Sequence, residues 1–138
     1  MAIKTTKDSI DLGIVTGNGP AMFAFYRDVL GLEHTGDMPM PVTVGGTMHR
    51  FACGTTVVKI VVPAKPSANR PSPGGLAGGT GYRYWTVSVA NLDEIVANAK
   101  AAGAKVPIPR TTVRPGVDIA MIEDPDGNWV ELLETRAV

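Results

Sequence analysis

The chain has a single cysteine, Cys53, among its 138 residues, so no disulfide can form within it. Such a lack of disulfides is typical of proteins from a reducing compartment. Neither sign of charge dominates, because thirteen basic side chains balance thirteen acidic ones. We therefore expect neither a nucleic acid nor a membrane surface as a partner. The N-terminal stretch lacks the apolar centre of a signal peptide, and no apolar run approaches the length of a bilayer span. These absences predict a cytoplasmic protein.

Motifs of several common chemistries are also missing. The sequence contains no P-loop, no GxGxxG, no zinc-finger spacing and no serine elbow, and each of these motifs carries a specific chemistry. A hydrophobic fraction of 44% is instead ordinary for a globular core. Glycine and proline concentrate between residues 63 and 81, and a stretch of this composition predicts an irregular connector. The connector divides the chain into two nearly equal halves.

Each half begins with an alternating apolar run and continues with a helix that has recognisable ends. In the first half, Pro20 lies at the start of the helix and Gly31 lies where it stops. In the second half, Asn91 is placed to cap the helix, Glu94 to complete a capping box, and Gly103 to end the helix. Both halves therefore predict a strand followed by a helix.

The two halves keep a constant offset. Asp11 and Tyr84 are 73 residues apart (84 − 11), as are Asn18 and Asn91 (91 − 18), which indicates a duplicated unit. Three β-prone runs follow each helix, and the first of the three is weakest, over residues 33–37 and again over 104–109. We predict an α+β fold with two βαβββ modules in a single domain, residues 1–138. Module one covers about 8–63, the connector about 64–80 and module two about 81–135.

Strand alternation assigns the side chains to two faces. One face is apolar, includes Ile10, and is expected to lie under the helices. The other face carries one polar group in each of four strands. Since a charge amid apolar neighbours is costly to bury unless it is paired or reaches water, this second face is expected to line a wet cleft. The four polar groups are Asp11, Lys59, Tyr84 and Glu131.

Three segments of the chain, residues 25–33, 91–106 and 123–134, together resemble the vicinal oxygen chelate superfamily. This superfamily includes glyoxalase I, bleomycin resistance proteins and extradiol dioxygenases. The resemblance spans nearly the whole chain outside its ends and the connector. It implies that the two modules form a curved, mostly antiparallel half-barrel around a cleft, and that the protein is a homodimer.

The resemblance also implies positions for metal ligands on the first, fourth, fifth and eighth strands, typically His or Gln, Glu, His and Glu. In this sequence those positions are Asp11, Lys59, Tyr84 and Glu131, of which only Glu131 matches. Asp11 could still bind a divalent ion, but a protonated Lys59 has no lone pair and repels a metal. We therefore predict no metal ligands and no cofactor, with a divalent metal disfavoured.

We favour an enzyme, an isomerase or lyase of the glyoxalase and bleomycin-resistance type that acts on a small molecule without the usual metal tetrad. The alternative is a non-catalytic protein that sequesters its ligand, as resistance proteins do. The predicted catalytic residues are Lys59, Tyr84 and Glu131. The predicted ligand-binding residues are Asp11, Trp129, Val57 and Thr86.

The charged groups also have a purely structural interpretation, in which Lys59, Glu131 and Asp11 form an ion-pair network. Among other polar residues, His34 is expected to be exposed. His49 lies on a β-prone run, where a lone histidine is more often a surface or structural residue than a ligand. Cys53 has no base partner visible in the sequence, and we assign it no nucleophilic role.

Overall fold

The order of strands and helices is the same in the two halves of the chain. The computed structural model describes residues 2–137, which divide into two compact units between Ala68 and Asn69. The boundary falls inside the predicted connector. Residues 64–80 contain no strand or α-helix, only a short 3-10 turn, Gly75–Ala77. No helix in the described part of the chain is long and apolar enough to cross a bilayer.

The first unit is a βαβββ module. Strand order in its sheet is β1-β4-β3-β2, with β1 parallel to β4 and the other pairs antiparallel. The helix α1 continues through a π-helical turn at Phe25–Val29 and ends before Gly31, whose φ of +70° suits the left-handed position that stops a helix. The elements are β1 (Leu12–Val15), α1 (Gly19–Ala24), β2 (Glu33–Pro39), β3 (Thr47–Cys53) and β4 (Thr56–Val62).

The second unit repeats this topology, with strand order β5-β8-β7-β6 and β5 parallel to β8. The prediction of an α+β fold with two βαβββ modules is confirmed, and each sheet is mostly antiparallel. Within the described residues neither sheet closes into a barrel. The elements are β5 (Tyr84–Ser88), α2 (Leu92–Ala101), β6 (Ile108–Arg114), β7 (Val117–Glu123) and β8 (Trp129–Thr135).

The strand registers confirm the duplication residue by residue. Lys59 is the β4 partner of Gly13, and Glu131 is the β8 partner of Thr86. Gly13 and Thr86 are 73 residues apart (86 − 13), and Lys59 and Glu131 are 72 apart (131 − 59). Lys59 and Glu131 therefore occupy equivalent positions in the two modules.

One face of each sheet forms the core beneath its helix. In β4, Val58 and Ile60 are fully buried, whereas Lys59 between them is partly exposed. In β8, Val130 and Leu132 are likewise fully buried. Alternation of this kind follows from the two-residue period of a strand, and it confirms the predicted apolar face.

Three details differ from the sequence prediction. Ile10 is 82% exposed rather than buried, because β1 begins only at Leu12 and residue 10 lies outside the pleat. Strand β6 lies at Ile108–Arg114 rather than at 104–109. It is polar and largely exposed, as suits an edge strand, so the apolar pattern did not mark it.

The third difference is at the start of α2. The Asn91 side chain makes no hydrogen bond to the helix backbone and instead donates from Nδ2 to Glu94 Oε2 at 2.8 Å. The backbone N–H of Leu92 donates to Glu134 Oε1 at 3.1 Å. A carboxylate from β8 therefore accepts from one of the N–H groups that a helix leaves free at its start, and no capping box forms.

Candidate functional site

Asp11, just before β1, gathers two lysines around its carboxylate. Its Oδ1 accepts hydrogen bonds from Lys7 Nζ at 2.6 Å and from the backbone N–H of Val57 at 2.9 Å. Lys59 Nζ lies 3.9 Å from Oδ2. The Lys7 hydrogen bond, the Val57 N–H and, more weakly, the Lys59 charge lower the pKa of Asp11 below its ordinary value. Asp11 is therefore held as a carboxylate, and three residues of the predicted site lie together in module one.

Lys59 is part of a row of residues that crosses the first sheet. Its partner on β3 is Arg50, and its partner on β1 is Gly13. Residues paired across a sheet point to the same face, so two cationic side chains share this face. A Cβ added at Gly13 would meet nothing within 4 Å, and the Lys59 side chain is 35% exposed. The face therefore has open space beside two cations, an arrangement that suits an anionic or oxygen-rich small molecule.

The remaining predicted residues pair across β5 and β8 in module two. Tyr84 is opposite Trp129, and Thr86 is opposite Glu131. The Thr86 hydroxyl donates to Glu131 Oε1 at 2.8 Å. This bond positions the carboxylate through Oε1 and does not involve Oε2. Tyr84 is 47% exposed, so its ring is accessible to a ligand.

Trp129 is held on two sides. Its indole N–H donates to Glu123 Oε1 at 3.1 Å. The backbone of Gly75 lies against its ring, since a Cβ built on that glycine would come within 2.1 Å of two ring carbons. Arg83 fixes the same loop by donating from Nε to the carbonyl oxygen of Gly75 at 2.7 Å. The end of the connector is thus anchored against Trp129, which fixes the orientation of this predicted ligand-binding residue.

Arg110 is paired with carboxylates of its own module. Its guanidinium donates to Asp118 at 2.8 Å and to Glu134 at 2.6 Å, and it lies 3.1 Å from Asp93. The hydrogen bonds to Glu134 and Asp118 raise the pKa of Arg110 further. Three carboxylates from α2, β7 and β8 therefore converge on one arginine, which links the helix to the sheet.

A group that sequence reasoning did not assemble lies at the edge of the first sheet. His34 Nε2 and His49 Nδ1 lie 2.6 Å and 2.7 Å from the same oxygen, Asp37 Oδ1. These two contacts hold the pKa of Asp37 below its ordinary value. The side chains of His34 and His49 are 29% and 22% exposed. No direct signal of this group is present in the sequence, because a register shift in β2 is what places Asp37 opposite His49.

Comparisons with known proteins agree with this fold. A family model, described as the Glyoxalase/Bleomycin resistance protein/Dioxygenase superfamily, matches residues 9–132. A glyoxalase family protein from Bacillus cereus is similar over 99% of both chains, with a TM-score of 0.83 and 15% identity. A genomically encoded fosfomycin resistance protein from Listeria monocytogenes is similar over 98% of this chain and 96% of its own, with a TM-score of 0.67 and 14% identity.

A lactoylglutathione lyase from Agrobacterium tumefaciens is similar over 95% of this chain and 96% of its own, with a TM-score of 0.64 and 26% identity. A search of curated protein sequences gave no significant match.

Proposed function

We propose, since this chain belongs to the Glyoxalase/Bleomycin resistance protein/Dioxygenase superfamily, that it is an enzyme of the isomerase or lyase type. Its substrate is a small molecule, and its chemistry uses acid–base side chains in place of the superfamily's usual metal tetrad. The observation that carries the proposal is the Lys59 ammonium group, 3.9 Å from the Asp11 carboxylate on the open face of the first sheet.

The residues at the four expected ligand positions do not fit a divalent ion. Lys59 offers an ammonium group, which has no lone pair to donate. One oxygen of Asp11 already accepts from Lys7 and from the Val57 N–H. Tyr84 contributes a phenolic hydroxyl, which is a poorer ligand for a divalent ion than the histidine typical of this position. These observations support a reaction that does not depend on a metal at these positions.

Each module offers acid–base groups of its own. In module one, the ammonium of Lys59 can stabilise negative charge that develops on a substrate oxygen, a task that is worth most in a water-poor site. In module two, Glu131 can accept a proton from carbon or oxygen, with Thr86 holding Oε1 at 2.8 Å. The Tyr84 hydroxyl, on the partly exposed ring beside Trp129, can return a proton to the product. Isomerisation and lyase chemistry both need these two proton transfers.

The experiment begins with two reactions suggested by similar proteins, namely formation of lactoylglutathione and modification of fosfomycin. Untagged protein is assayed in excess chelator, with Lys59→Met and Glu131→Gln compared to wild type. We expect turnover to persist in chelator and kcat to fall by about 10²-fold or more in each variant. Lys100→Met, an exposed lysine in the last turn of α2, is the matched control. A strict metal requirement, or equal activity in Lys59→Met and Lys100→Met, would contradict the proposal.

The second candidate, a ligand-sequestering protein without turnover, is favoured by a different observation. Asp11 is engaged by Lys7 and Val57 within its own module, which is the arrangement expected of a structural ion pair. Tyr84 and Trp129 lie side by side across β5 and β8, where aromatic rings could stack on a flat ligand. Titration calorimetry with bleomycin and fosfomycin separates the two candidates. Tight binding that leaves the compound chemically unchanged, and that Tyr84→Ala weakens, favours sequestration.

A further inference from the structure

We propose that module one carries a second site, a binding site for a divalent transition metal ion of the zinc class, formed by His34, Asp37 and His49. One donor atom from each residue lies within 4.8 Å of the other two. Two imidazole nitrogens and one carboxylate oxygen form a donor set that suits zinc and its neighbours in the first transition row. The proposal is separate from the acid–base function proposed above.

A local irregularity in β2 brings the three side chains to one face. Residues three apart in a regular strand point to opposite faces, so His34 and Asp37 would ordinarily diverge. The β2–β3 register shifts between His34 and Gly36, with Thr35 as the extra residue. A bulge of this kind re-aims the side chains that follow it. Asp37 is then opposite His49, on the same face as His34.

The donor atoms lie close enough together for one ion to contact all three after small movements. His34 Nε2 and His49 Nδ1 are 2.6 Å and 2.7 Å from Asp37 Oδ1. A tetrahedral zinc ion bonded at ~2.0–2.1 Å needs its donors about 3.4 Å apart. Small rotations of three partly exposed side chains supply that change. Three protein ligands leave one tetrahedral position for water or a ligand.

The surroundings fix the rings and admit an ion. Phe23 of α1 contacts both imidazoles edge-on, with ring centroids 4.7 Å from His34 and 5.5 Å from His49. The Asp37 side chain is 46% exposed, which allows access to its carboxylate from solvent.

The composition of the chain strengthens the inference. The sequence has only two histidines, and both contact the same carboxylate oxygen. An ion held by His34 and His49 would join β2, the edge of the first sheet, to β3 by side chains as well as by the backbone ladder. We therefore expect the ion to stabilise the sheet edge.

The test is calorimetric titration of untagged, chelator-stripped protein with zinc chloride. We expect one equivalent to bind, and the affinity to fall by at least about tenfold in His34→Gln, Asp37→Asn or His49→Gln, since even outer-shell losses typically cost 10–100-fold. Glu33→Gln, which removes an exposed carboxylate from the same strand, is the matched control and should bind like wild type. Unchanged affinity in His49→Gln would overturn the proposal.

A second measurement uses the wild-type protein and so does not depend on the folding of any variant. Because the chain has two histidines, a ¹⁵N NMR spectrum of the imidazole rings contains only two ring systems. One equivalent of zinc should shift the signals of both rings together and then saturate. If neither ring responds, or if only one does, the three-residue site is refuted.

Discussion

Gly75 is the position where the connector can be perturbed most sharply. This glycine has a φ of +54° and is buried. Changing it to alanine places a Cβ within 2.1 Å of two ring carbons of Trp129. A non-glycine residue in the left-handed region costs about 1–2 kcal/mol, and overpacking costs about 1–3 kcal/mol more. We therefore expect Gly75→Ala to lower the free energy of unfolding by about 2–5 kcal/mol.

The control comes from the same loop. A Cβ at Gly79 would make only ordinary contacts, the nearest at 3.5 Å, and no left-handed φ is required there. Gly79→Ala should change stability by less than about 1 kcal/mol in either direction. The assay is urea unfolding followed by circular dichroism, with tryptophan emission reporting displacement of Trp129. Equal midpoints for the two variants would refute the inference that the connector is anchored on Trp129.

Three further predictions concern the core, the charge network and the assembly. Val58→Ala should lower the free energy of unfolding by about 2–3 kcal/mol, since Val58 is fully buried. Val57→Ala, on the opposite and partly exposed face, should lower it by less than about 1 kcal/mol. Chemical denaturation of both variants compares the two values. Hydrogen bonds from Thr112 and then Arg136 and Arg110 lower the pKa of Asp118 from 3.8 to about 2. The stability that Asp118 adds is therefore fully present above pH 3.8 and is lost as the pH falls towards 2. Asp118→Asn should make the free energy of unfolding depend less on pH over that interval. An unchanged pH dependence would contradict a stabilising role for the hydrogen bonds of Asp118. We expect a homodimer, which sedimentation showing only monomer at ~10 µM would contradict.

The duplicated architecture could be predicted because its signals are local and strong. Gly31 and Gly103 end the two helices with φ of +70° and +78°, as their place after each helix predicts. The Asp124–Gly127 turn is equally local, with Asp124 Oδ1 accepting from the backbone N–H of Asp126 at 2.9 Å. Such features depend on a few neighbouring residues, and a single sequence contains them in full.

Features that depend on distant residues could not be predicted in the same way. The N–H of Leu92 donates to Glu134, which lies 42 residues away, and the nearby Glu94 accepts from the Asn91 side chain instead of completing a capping box. Strand β6 is an exposed edge whose pairing with β7 contains two register irregularities, so its residues show no apolar alternation. In each case the tertiary partner determines the local structure.

The predicted site residues lie where the pattern placed them within each module, and their catalytic roles stay predictions. Strand alternation put Lys59 and Glu131 on the polar face of their strands, and the registers give them equivalent positions in the two modules. The histidine site was missed for a physical reason. Without the register shift at His34 and Gly36, His34 and Asp37 would lie on opposite faces, and no regular-strand argument brings them together.

The two sites proposed for module one lie on opposite faces of the same sheet. His49 is paired with Ile60, a fully buried core residue, and the next residue, Arg50, is paired with Lys59. Consecutive residues of a strand point to opposite faces, so an ion bound at His49 is separated from the Lys59 face by the thickness of the sheet backbone. Substituting the histidines should therefore leave chelator-resistant turnover intact, and substituting Lys59 should leave zinc binding intact. If either substitution abolishes both properties, the two faces do not act separately, and the ion belongs to the reaction.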